Sequence, residues 1–102
     1  MPYTITMPGK LYQGLAGRDA FHNDNPTDQA CLAIFKAAEV IEMTNGVRYV
    51  ITGDKQVVDE ILLYLHSLLG LVEHGLLPVS ELGVPRKLLE KTAKQTPQEV
   101  DK

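Results

Sequence analysis

The chain opens on an alternation. Tyr3, Ile5 and Met7 fall on one side of residues 2–7 and Thr4 and Thr6 on the other, the period of a half-buried strand. Pro8-Gly9 ends it, because proline cannot donate to a ladder and glycine bends freely. From 8 to 25 the pattern dissolves into glycines and then the polar run His22-Asn23-Asp24-Asn25. This predicts a long loop, with at most a short extended piece at Lys10–Gln13. A helix is expected from Asn25, a favoured N-cap, with Pro26 at N1 and Asp28 in the first turn. Its apolar body runs from Ala30 through Ile41, broken only by Lys36 and Glu39, and Asn45-Gly46 supplies the stop. Val47–Thr52 alternates again, with Val47, Tyr49 and Ile51 on one face, and is the strongest strand signal in the chain.

A second helix is expected from Asp54 to His74. Val57, Val58, Ile61, Leu62, Leu65, Leu68, Leu69 and Val72 recur at three- and four-residue spacing. Leu63, Tyr64 and Leu71 widen that stripe beyond what one neighbour would cover. Gly75 suits a C-cap and Pro78 blocks continuation. A single turn at Ser80 and a third helix from Val84-Pro85 to Ala93, with Pro85 at N1, complete the elements. Residues 96–102 carry no apolar period and are expected to be a disordered tail behind one globular domain, 1–95.

This order predicts a small α+β domain. A minimal two- to three-stranded sheet carries two main helices and a short C-terminal helix on one face. Two strands make a marginal sheet, so either the 8–25 segment adds a strand or two chains combine. Leu63, Tyr64 and Leu71 are the expected dimer interface, since small soluble oligomers are mostly two-fold dimers.

Composition narrows the function classes. The 102 residues carry ten Lys and Arg against 13 Asp and Glu, a formal charge of −3. That balance speaks against general binding to nucleic-acid phosphates. The Arg86, Lys87, Lys91 and Lys94 stripe lacks the interleaved aromatics of a nucleic-acid surface. A single cysteine, Cys31, excludes an intrachain disulfide framework. The longest apolar run, Ala30–Phe35, is far short of a membrane span. With no charged, apolar leader, the expectation is a cytoplasmic protein.

Chemistry-bearing residues are few. Lys10, Gly14, Gly17 and Arg18 in the glycine-bearing segment, with Arg48 from the strand, could hold an anion. The segment matches neither the Walker A pattern nor the dinucleotide fingerprint, and turn-forming glycines explain it equally well. Asp19, His22, Asp24 and Asp28 fit no metal-binding spacing and serve as turn and capping residues. His66 and His74, two helical turns apart, are too distant to share an ion. Thr52-Gly53-Asp54-Lys55 joins strand to helix where anions often bind, but Asp54 would repel one and suits an N-cap. Cys31, among Ala30, Leu32 and Ile34, packs as a small hydrophobe.

No catalytic, cofactor or metal site is therefore expected. The leading expectation is a non-catalytic, homodimeric interaction module of the accessory, regulatory or phage-inhibitor kind, touching its partner protein through Tyr12, Arg18, Phe21 and His22. The alternative is a small-ligand binder holding an anionic metabolite or nucleotide near Lys10, Arg18 and Arg48. A minimal enzyme built on His22 or Cys31 ranks behind both.

Overall fold

A computed structural model describes Met1–His22 and Asp24–Val100. Among these residues the chain is a small α+β fold with four α-helices and a four-stranded antiparallel sheet. β1 (Tyr3–Pro8) leads directly into α1 (Gly9–Gly17). Then come α2 (Pro26–Lys36), β2 (Glu39–Met43), β3 (Gly46–Gly53), α3 (Lys55–Glu73), a 3-10 turn (Val79–Glu81), α4 (Arg86–Ala93) and β4 (Gln98–Glu99). The strand order is β2-β3-β1-β4.

Several local expectations hold. The Asn25 side chain accepts the Asp28 N–H at 2.8 Å, with Pro26 at N1. α3 buries Val58, Ile61, Leu62, Leu65, Leu68 and Leu69, each contributing about 1.5–3 kcal/mol by leaving water. It ends as expected at Gly75, whose φ of 73° lets the Leu76 N–H turn back to Leu71 O at 2.8 Å. Helix packing covers the sheet face that carries Ile5, Met7 and Ile51, all at most 2% exposed. No helix among the described residues is long and apolar enough to cross a membrane.

The sheet has four strands rather than the expected two or three, and four local expectations are corrected. The segment expected as a loop is α1, and Leu11 and Leu15 on it are fully buried. Gly14 is there for contact: a methyl at that position would sit 2.9 Å from Leu82 O. The first long helix stops at Lys36, and Glu39–Met43 forms β2 instead, pairing with β3 from Glu39↔Val50 to Met43↔Gly46. Val40 and Ile41 are β-branched, and the Thr44-Asn45 turn lets them close a hairpin that a helix could not. Pro85 is the N-cap of α4, one position before the expected N1. Finally, Gln98–Glu99 pairs with Thr4 and Tyr3, and the Val100 N–H donates to Pro2 O at 2.9 Å. Asp101 and Lys102, the end of the expected tail, lie outside the described residues.

β4 is too short to cover β1, and a side chain completes the job. The Thr6 N–H donates to Gln95 Oε1 at 2.9 Å, and Gln95 Nε2 donates to Thr6 O at 2.7 Å. Gln95 Nε2 also donates to Thr92 O at 2.8 Å, which ties the end of α4 to the strand. The amide thus imitates one residue of a paired strand.

Two stability measurements check this packing. Gln95→Ala should cost about 1–3 kcal/mol in urea unfolding, because it strands two half-buried main-chain groups; a loss within error would mean water replaces the amide freely. Gly17→Ala, whose added methyl meets nothing within 4 Å, should stabilise by about 0.4–1 kcal/mol. Gly14→Ala should destabilise despite the same gain in helix propensity. Equal effects at both glycines would contradict the close approach of α1 to Leu82.

Candidate functional site

The residues expected to meet a partner separate in the structure. Tyr12 turns inward on α1: its ring stacks on Tyr49 at 3.7 Å and on Phe35 at 4.2 Å, and its hydroxyl donates to Phe35 O at 2.6 Å. Burial first, and Tyr49 second, push its phenol pKa up. Phe21 is 8% exposed and packs edge-on to Phe35 and against Tyr64. It does so at φ 63°, a conformation unfavourable for a bulky residue and held here by that aromatic cluster. Arg18 pairs with Glu81 at 3.1 Å on the surface. His22 is exposed and shares a shallow cavity of about 170 Å³ with Tyr12, Asp19 and Leu32. Tyr12 and Phe21 therefore serve the core, Tyr12 from helix α1 and Phe21 from the turn that follows it.

The anion-binding set also divides. Gly14 packs on Leu82, Gly17 sits at the end of α1, and Arg18 faces Glu81. Lys10 and Arg48 lie elsewhere, on the walls of two neighbouring cavities. Asp54 takes the N-cap position of α3 without a side-chain hydrogen bond. No group of three or more His, Cys, Asp or Glu residues among the described residues could hold a metal ion.

Of the expected dimer residues, Leu63 is 61% and Leu71 40% exposed on the outer side of α3, while Tyr64 leans on Phe21. The β2 edge, missed because its residues were assigned to a helix, is the more open surface. All five residues of β2 are exposed, including Val40, Ile41 and Met43. No clean alternation marks it, since Glu39, Ile41 and Met43 on one face and Val40 and Glu42 on the other each mix acid with apolar residues; the β-branched pair Val40-Ile41 before Asn45-Gly46 is the available signal. The hydrogen-bonding phase follows from Gln95. Since Thr6 turns its main chain toward Gln95, Ile5 and Met7 bond β3, and Arg48 and Val50 turn to β2. Ile41 and Glu39 answer them. The N–H and C=O groups of Val40 and Glu42 therefore point out of the sheet. The chain matches no protein-family model, and no curated protein or solved structure matches it.

Cys31 is 1% exposed and its thiol donates to Val57 O at 3.8 Å. Burial, then the charges of Asp28 and Glu60, push its pKa from 9.0 up to about 11. The folded protein keeps this proton where an unfolded thiol releases it. The stabilising contribution is thus full below pH 9 and lost as the pH climbs through about 11. At pH 8, a disulfide reagent should modify Cys31 at least about a hundredfold more slowly in native protein than in urea; comparable rates would place the thiol at the surface.

Proposed function

We propose that the protein is a non-catalytic protein-interaction module that assembles as a homodimer by joining two β2 edges. The observation that supports this is β2 itself, an edge strand exposed on both faces, with Val40, Ile41 and Met43 in water. Such an edge is a template for another strand.

A second copy is the partner that suits it. A two-fold axis at Ile41 places Ile41 opposite its mate, Val40 opposite Glu42, and Glu39 opposite Met43. Each Val40–Glu42 pair then exchanges the main-chain bonds that β3 leaves free, and no carboxylate faces another. Centring on Glu42 would oppose two acids. Centring on Val40 would call on the Ala38 N–H, which already donates to Phe35 O at 3.2 Å. In such a dimer the α3 strip of Leu63 and Leu71 is left for contact with a different protein.

Sedimentation equilibrium tests the arrangement. The native chain should be a dimer. Ile41→Lys, which sets two ammonium groups against each other on the axis, should raise the dissociation constant at least about tenfold. A Leu63→Ser, Leu71→Ser double variant should leave it unchanged. The reverse pattern would move the interface to α3, and a native monomer at all concentrations would end the homodimer reading.

A further inference from the structure

Two cavities share Pro8 and Leu88 as walls. The larger, about 470 Å³, is lined by Lys10, Val47, Val84 and Pro85 among others. The smaller, about 150 Å³, adds Thr6, Arg48 and Lys91. The larger volume is in the range of small-molecule sites. Three features of the combined groove coincide. Its chemistry is one-sided: Lys10, Arg48 and Lys91 contribute to the walls, and no Asp or Glu does among the described residues. This occurs in a chain with a formal charge of −3, so composition alone would favour acids.

The cations are also uncommitted. Among the described residues Lys10 and Lys91 have no ion pair, and Arg48 donates only to Thr6 Oγ1, at 3.3 Å. Of the other described cations, Arg18, Lys55, Arg86 and Lys94 each pair with a carboxylate, and Lys36 and Lys87 have no ion pair. Third, α1 and α4 both begin at the larger cavity, at Pro8 and Pro85, and neither start has a side-chain cap. Their leading main-chain N–H groups add positive potential to that of the three side chains. Between the charges, Val47, Val84, Pro85 and Leu88 form an apolar wall.

We infer that these adjoining cavities bind a small organic anion, its phosphate or carboxylate drawn by the joint positive potential of Lys10, Arg48 and Lys91 and its flat apolar body on Val47, Val84 and Leu88 of the larger one. The site adjoins the β2–β3 hairpin, where Arg48 pairs with Ile41, but no residue of β2 lines either cavity, and its test reads out whether or not the chain dimerises.

The probe is 1-naphthyl phosphate, titrated into ¹⁵N-labelled protein and followed by amide chemical shifts. Inorganic phosphate, which lacks the body, and 1-naphthol, which lacks the charge, are the controls. Saturable shifts are expected at Gly9, Lys10, Gly46, Val47 and Leu88, with affinity at least about tenfold above either control. A Lys10→Gln, Arg48→Gln, Lys91→Gln variant should lose at least about tenfold in affinity. Raising salt from about 0.02 M to about 0.5 M should weaken binding to the unaltered protein, an electrostatic readout that needs no variant. Equal binding of 1-naphthol would reduce the groove to an apolar patch and overturn the inference. So would shifts confined to β2 or α3, salt-independent binding, or no saturation by about 10 mM probe.

Discussion

Everything in this small sheet is arranged around the main chain of β1. The strand is central, so its N–H and C=O groups need partners on both sides. β3 supplies one side along the full length, from Tyr3↔Gly53 to Pro8↔Arg48. The other side is met by two residues of β4 and then by the carboxamide of Gln95. That solution has consequences outward. α4 must end where Gln95 can reach Thr6, which sets α4 beside α3 and brings its start to Pro8. The same phase, carried across β3, decides which groups of β2 face out. One side-chain amide thus links the completeness of the core to the character of the exposed edge.

Much of this was legible from residue spacing. β1, β3 and α3 carry unmistakable periods, and Asn25-Pro26 marked the start of α2. What was missed has physical reasons. α1 holds Gly9, Gly14 and Gly17, and glycine lowers helix propensity by about 1 kcal/mol relative to alanine. Gly14 is present because a neighbouring backbone comes close, a tertiary fact with no local signature. Residues 37–43 carry apolar side chains that satisfy a helical stripe as readily as a pleat, and only the hairpin pairing with β3 decides between them. β4 is too short and too polar to show a period.

The same ambiguity reaches the candidate site. In a loop over 8–25, Tyr12 and Phe21 would be aromatic side chains free to meet a partner. Helix α1 turns Tyr12 inward, the turn after it does the same for Phe21, and both contribute to the aromatic cluster with Phe35. Lys10 and Arg48 stand out in the sequence as charged residues, yet Lys91, 43 positions beyond Arg48, is brought near them only by the fold. Leu63 and Leu71 are exposed as their surplus suggested. The more open edge was hidden in a strand that had been read as helix.

The contacts of β1 also set an order of events during synthesis. Thr6 and Gln95 are 89 positions apart, and Tyr3 and Glu99 are 96 apart. The β2–β3 hairpin and the helices α2 and α3 draw on nearby chain and have the means to form while translation continues. β1 precedes both of its outer partners and waits for Gln95 and β4 before its outer edge is closed. The nascent chain therefore adds the 89 positions from Thr6 to Gln95 with its central strand unfinished on one side.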